Sequence, residues 1–247
     1  MLVAAVDTST LTLSCAVLRI APGRVDVIAR RAERPPAPSG GHGPRLPGVL
    51  VELLGPLGLS VSEVEGWAVG LGPGSFTGLR VGLATWKGLA YARRRPIAGA
   101  SGLAAMAAEA APLAPDGALL VPVLDARKGE VYAGFYRVRG GVPEPVAPEV
   151  AVAPAALPAR VDAGRPAGPV LGFGEGFATY RALLAPAIAE LADAPATPAA
   201  EVVARLAAPR LAGAAYDAQA LFALEPHYLR PSEAEVKFPH GLPAAGR

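Results

Sequence analysis

Two short segments carry the side chains best suited to chemistry. Asp7, Thr8, Ser9 and Thr10 form DTST directly after an apolar run. Hydroxyls and backbone donors in such a turn can surround a phosphate, while the carboxylate acts through a bound cation. The same four residues can also close a hairpin through Asx and Ser/Thr bonds to the backbone. The second segment, GPGSFTG from Gly72 to Gly78, stands between a strand-like and a helix-like run. Its glycines permit close backbone approach and a helix start favours an anion. It lacks the Lys-Ser/Thr that ends a P-loop, so its spacing alone does not make an ATPase site.

No nucleophile emerges. Ser75 has no histidine and carboxylate near it in sequence, and Pro73 breaks the GxSxG elbow pattern. Asp125, Glu130 and Glu175 are scattered over different elements, which gives paired-carboxylate chemistry no support. Asp125, Arg127, Lys128 and Glu130 can contact a ligand or simply form a charged turn. His42, His227 and His240 are dispersed without metal-ligand spacing, and the single Cys15 cannot form an internal disulfide. The basic groups Arg30-Arg31 and Arg93-Arg94-Arg95 are not interleaved with aromatics for base stacking. They read as solvated connectors or electrostatic contacts.

The elements that must position these residues follow from periodicity. Leu2 to Val6 reads as a first strand, Leu11, Leu13, Cys15 and Val17 alternate as a second, and Val25 to Ala29 completes an antiparallel meander. Arg31 to Pro47 reads as a long Pro- and Gly-rich loop. Leu46, Val49, Leu50, Leu53, Leu54 and Leu57 share one helical face. Trp67, Val69 and Leu71 form a strand leading through GPGSFTG into a helix whose apolar face holds Leu79, Leu83, Trp86 and Leu89 or Ala90. Gly78 and Gly82 are four apart on that helix, as are Ala84 and Gly88. Such small-residue spacing serves a partner helix or docking onto the sheet. Another strand starts near Pro96, and Ser101 caps a helix through Ala111.

A second block begins after 112–117. Leu119 to Leu124 and Glu130 to Val138 read as paired strands joined by DARKG. Gly140 to Gly168 reads mostly as connection, with one edge strand near Val150. Val170 and Leu171 enter GFGEG, followed by helices at Phe177 to Leu184 and Ala199 to Ala208. The closing LPAAGR reads as a loose tail.

Composition sets the outer bounds. A chain of 247 residues with 52% hydrophobic and 18% charged residues can build a real core. Its 29 glycines and 27 prolines predict irregular connections. A formal charge of +2 is too small to announce a nucleic-acid protein. The N-terminus lacks a basic n-region and reaches Asp7 early, so the expectation is a cytoplasmic protein.

The motifs together resemble the TsaB family, also called YeaZ. The resemblance is carried by VDTST at 6–10, His42 followed by RLPGVLVELL at 45–54, and above all GLGPGSFTGLRVGLATWKGLAYA at 70–92. It continues through PIAGASGLAAMA at 96–107, LDARKGEVYAGFY at 124–136, GFGEG at 172–176 and HYLR at 227–230. It implies an α/β fold of two ribonuclease-H-like domains of the actin, hexokinase and Hsp70 (ASKHA) class, with mixed sheets flanked by helices and a reduced second domain. The implied boundaries are 1–111, 112–230 and a tail at 231–247, with part of the final helical region packing on the first domain.

The resemblance further implies a noncatalytic partner of TsaD, the enzyme that transfers a threonylcarbamoyl group to N6 of adenosine 37 in tRNA. TsaE joins the assembled complex, and the chain can self-pair when alone. The implied interface lies on Leu79, Val81, Gly82, Thr85, Trp86, Gly88, Leu89 and Tyr91. DTST departs from the DxGxT phosphate loop at Thr8 and Ser9, so Asp7 to Thr10 are vestigial phosphate-loop positions. ATP binding is expected to be weak or absent, ATP and metal being used by the other subunits, and tRNA contact is left as indirect or unknown. A kinase-like nucleotide enzyme and a metallopeptidase-like protein remain as alternatives, although no HxxxH pair is present.

Overall fold

The computed structural model describes residues 1–34, 41–162 and 168–230. Alternating apolar side chains build the opening meander. β1 (Leu2–Asp7), β2 (Leu13–Ala21) and β3 (Arg24–Glu33) pair antiparallel, with Val6 opposite Cys15 and Leu13 opposite Glu33. On the other side of β1 lie β4 (Gly66–Gly70) and then β5 (Ile97–Ala100), both parallel to it, giving the order β3-β2-β1-β4-β5. Leu2, Ala4 and Val6 face α1 (His42–Leu54) and α2 (Phe76–Arg93). Leu46, Leu50 and Leu54 repeat at helical spacing and are buried there, each contributing about 1.5–3 kcal/mol.

α3 (Gly102–Ala110), capped by Ser101 Oγ accepting from the Ala104 N–H, leads to the second sheet. There β6 (Leu119–Arg127), β7 (Glu130–Arg139) and β8 (Val142–Val152) form another antiparallel meander. α4 (Leu157–Asp162) follows, then β9 (Val170–Phe173), α5 (Glu175–Thr179), α6 (Arg181–Leu184) and β10 (Ala189–Glu190). β9 is parallel to β6 and β10 to β9, so the order β10-β9-β6-β7-β8 repeats the first sheet strand for strand. The chain then returns. α7 (Ala200–Leu211) covers Val3, Ala5, Ala68 and Ala98 on the other face of the first sheet, and α8 (Ala218–Ala223) lies against α2. The first sheet is thus buried on both faces.

Several sequence expectations require correction. The expected loop over 31–47 is shorter, because β3 continues to Glu33 and α1 begins at His42. Pro44 falls in the first helical turn, where a missing N–H costs little. Arg45, bonded to Glu33 and Glu52, ties the helix to the strand and holds the Glu52 carboxyl down to about 2. The residues 35–40 lie outside those described. Leu11 stays outside β2, and Leu57 leaves the apolar face on a 3-10 turn, 40% exposed, because Gly55 and Pro56 end the regular helix. The edge strand expected near Val150 is present as β8, but it runs for 11 residues from Val142, through what reads as connection. Its prolines are tolerated because β8 is an edge strand. The single helix expected over 177–184 is broken at Tyr180 into α5 and α6. The closing LPAAGR lies outside the described residues.

Candidate functional site: two interlocked turns, a helix face and a cleft

DTST is a turn bonded within itself and to the loop beside it. Asp7 Oδ1 accepts from the Ser9 N–H at 2.9 Å and from Ser9 Oγ at 2.6 Å. Thr10 Oγ1 accepts from the Thr12 N–H at 3.1 Å, and Thr8 Oγ1 donates to the Gly78 carbonyl at 2.8 Å. The Ser9 carbonyl accepts from the Ser75 N–H at 2.6 Å, which docks GPGSFTG onto DTST. His42 Nε2 lies 2.7 Å from the Thr10 carbonyl, so that nitrogen carries the proton. Ser75 caps α2, its Oγ accepting from the Gly78 N–H.

Asp7 Oδ2 is buried with no partner among the described residues, and a Cβ on Gly70 would overlap it. Burial pushes the Asp7 carboxyl up, against the pull of the Ser9 bonds and His42. The three hydroxyls of this turn are engaged within the protein and its carboxyl is walled in. Among the described residues, no three His, Cys, Asp or Glu side chains gather to hold a metal ion.

α2 has two faces of opposite use. Leu79, Gly82, Leu83, Trp86 and Ala90 are buried. Trp86 Nε1 donates to the Ala4 carbonyl at 3.1 Å, and its ring meets Trp67 edge to face with centroids 5.5 Å apart. A Cβ on Gly82 would overlap Thr8 Oγ1, and one on Gly78 would overlap the Thr8 carbonyl. The expectation that Leu79, Gly82 and Trp86 belong to a partner interface is therefore corrected: they seal α2 onto the sheet and the DTST turn. Gly88 faces the other way, with nothing within 4 Å of the place a methyl group would take. Val81, Thr85 and Leu89 are half-buried, Ala84 is exposed, and Tyr91 is 56% exposed beside Phe222 of α8.

Between the sheets lies a cleft of about 570 Å³, floored by the DTST turn on one side and the DARKG turn on the other. In DARKG, Arg127 (φ 62°) and Lys128 (φ 53°) both adopt left-handed backbone before Gly129. A non-glycine residue there costs about 1–3 kcal/mol. Arg127 sits 3.4 Å from Asp125, and Arg230 pairs with Glu130 at 2.9 Å. Glu175, at the start of α5, is raised by burial against the opposing pull of Arg127. Asp125, Arg127, Lys128 and Glu175 thus line the cleft together, whereas Glu130 pairs with Arg230 at its edge.

Some cleft residues carry no role in the sequence reading. Tyr228 packs against Phe76 at 4.8 Å, and the Arg80 guanidinium lies 3.8 Å over the Phe76 ring. His227 Nδ1 is 3.3 Å from Glu149, whose carboxylate, after burial, pushes the Tyr136 phenol up. For His227 and Tyr228 the HYLR motif is the sequence signal.

Comparison with known proteins accords with this architecture. A family model described as TsaD: tRNA N6-adenosine threonylcarbamoyltransferase matches residues 34–238. The tRNA threonylcarbamoyladenosine biosynthesis protein TsaB of Bacillus subtilis is 33% identical over 149 residues, 60% of this chain and 61% of that protein. Its Escherichia coli counterpart is 38% identical over 103 residues, 41% and 44% of the two chains. The matches thus span only about half the length of these curated relatives. The solved structure of YeaZ from Pseudomonas aeruginosa superposes with a TM-score of 0.70 at 30% identity, covering 92% of this chain and 99% of that one. On the family match and this near-complete structural coverage, the chain belongs to the TsaB/YeaZ family.

Proposed function

We propose that the chain is a noncatalytic subunit that binds TsaD and supports transfer of a threonylcarbamoyl group to N6 of adenosine 37 in tRNA. Family membership carries the reading. What supports a binding role is the outward face of α2, where Ala84 and Gly88 leave backbone approachable between half-buried Val81, Thr85 and Leu89 and exposed Tyr91. The proposed interface is accordingly narrowed to Val81, Thr85, Gly88, Leu89 and Tyr91. The same face would self-pair when TsaD is absent, and TsaE would join the assembled complex. We assign the doubled strand order to two ribonuclease-H-like domains of the ASKHA class, 1–111 and a reduced 112–230.

A kinase-like enzyme would need DTST to receive a phosphate, and its internal bonds oppose that. The chain itself is therefore assigned no ATP requirement. Reconstituting threonylcarbamoyladenosine formation from TsaD, TsaE and the enzyme that makes threonylcarbamoyl-adenylate, the donor of the transferred group, with and without this chain, tests the reading. Full activity without the chain, or transfer by the chain alone, would overturn it.

A further inference from the structure

We propose that the cleft between the two sheets binds a single-stranded RNA segment, its phosphates held by Arg80, Arg127 and Lys128 and one base stacked on Tyr228. The choice of RNA over other anions rests on the tRNA reading above; the site itself rests on geometry.

The cleft opens at the carboxyl ends of β1, β4, β6 and β9, where ligands of open α/β sheets collect. Its volume of about 570 Å³ lies within the usual range for small ligand sites, so it can enclose a nucleotide unit. The lining cations Arg80, Arg127, Lys128 and Arg230 outnumber the lining carboxylates Asp125 and Glu175 even when Glu130, the ion-pair partner of Arg230, is counted with them. Glu175 is further opposed by Arg34 and Arg127.

Charge alone would suit any polyanion. The aromatic cluster makes the choice narrower. Tyr228, 40% exposed, rests on Phe76, and its hydroxyl accepts from Arg80 Nε at 3.2 Å. A guanidinium and an aromatic ring fixed side by side offer a charge for a phosphate and a surface for the adjoining base. A metal-bound triphosphate is less well served, since Asp7 is sealed under Gly70. An acidic peptide would use the cations and leave the ring idle. The left-handed Arg127 and Lys128 aim two consecutive cations from one turn tip at the cleft lining.

The test uses the full chain and a fluorescein-labelled oligoribonucleotide of about ten nucleotides, followed by anisotropy at graded salt. Three phosphate contacts predict a slope of log affinity on log salt near about −2, and Lys128→Ala or Arg127→Ala should each reduce it by about 0.7. Tyr228→Ala should weaken binding about tenfold with the slope unchanged, and Tyr228→Phe should restore it. Arg94→Ala, at the far end of α2, should change nothing. Circular dichroism and melting establish that each variant is folded.

Inorganic polyphosphate and an acidic peptide serve as competitors. Displacement of the RNA by either at equal charge concentration, together with indifference to Tyr228→Ala, would overturn the RNA assignment. So would absence of binding at low salt, or equal losses from Arg94→Ala and the cleft variants. TsaD association is measured on the same proteins. Cleft variants that lose RNA but keep TsaD support the proposal. Failure of the wild-type chain to bind TsaD would overturn the partner reading alone.

Discussion

The Thr8 hydroxyl donates to the Gly78 carbonyl across 2.8 Å, joining residues 70 positions apart in the chain. The space for that bond exists because position 82 on the next turn of α2 has no side chain, a Cβ there overlapping Thr8 Oγ1. Gly82→Ala should therefore destabilise the fold by about 1–3 kcal/mol through overpacking. Thr8→Ala should cost about 0.5–1.5 kcal/mol by removing a buried hydrogen bond, the Gly78 carbonyl keeping its helical donor. The double variant should be less destabilised than the sum by at least about 0.5 kcal/mol. Urea denaturation of the four proteins measures this. Strict additivity would show that the two residues do not share the strain.

Gly88 offers the opposite case six residues along. Nothing surrounds its missing side chain, so Gly88→Ala should raise stability by about 0.5–1 kcal/mol through helix propensity. Gly88→Arg should also fold, yet its long charged side chain would stand on the proposed interface and reduce TsaD affinity at least about tenfold. Gly82→Arg should fail to fold. Melting curves together with calorimetry on TsaD decide the matter. A folded Gly88→Arg protein with unchanged affinity would remove this helix face from the interface.

The two tryptophans should respond unequally to the same change. Trp86 Nε1 is bonded to Ala4, whereas the buried Trp67 Nε1 has no partner among the described residues. Replacing Trp67 by Phe discards an unsatisfied donor, while Trp86→Phe discards a made bond. Trp86→Phe should be the costlier by about 1 kcal/mol. Since both rings are buried, native fluorescence should be blue-shifted and move red on unfolding. Equal costs would show that the Ala4 bond contributes no net stability.

Local periodicity makes the opening meander, α2, the β6 and β7 pair and the Ser101 cap legible in the sequence. β8 is legible only as an edge strand near Val150, because the prolines over its first half read as connection and only its edge position makes them acceptable. The phosphate-loop reading of DTST cannot be settled from sequence, since the groups that occupy its hydroxyls and carbonyls include Gly78 and Ser75, far along the chain. The division of α2 into two faces is equally hidden. Gly78, Gly82, Ala84 and Gly88 are all small residues, and only packing separates the buried pair from the exposed pair. Tyr228 and Arg80 meet across 148 positions, which no local signal reports.

Asp7 gives the chain a dependence on pH whose sign can be worked out. Burial raises its folded pKa above the ordinary value of 3.8, so the native protein binds this proton more tightly than the unfolded chain. The stability from this group is fully present below about pH 4, declines as pH rises toward the elevated native value, and is constant beyond it. Glu109 and Glu175, also raised by burial, act in the same direction, while Glu52, held low by Arg45, acts in the opposite one. Asp7→Asn isolates the first contribution, because the amide keeps an oxygen to accept the two Ser9 bonds and removes the titration. Relative to wild type, the variant should gain stability as pH increases from about 4 to about 8. Urea midpoints collected across that range for both proteins measure the difference. A stability difference that stays flat would show that Asp7 titrates alike in the folded and unfolded chain. One that moves toward wild type with rising pH would show that the carboxylate is stabilised in the fold, and that the buried Oδ2 has a partner.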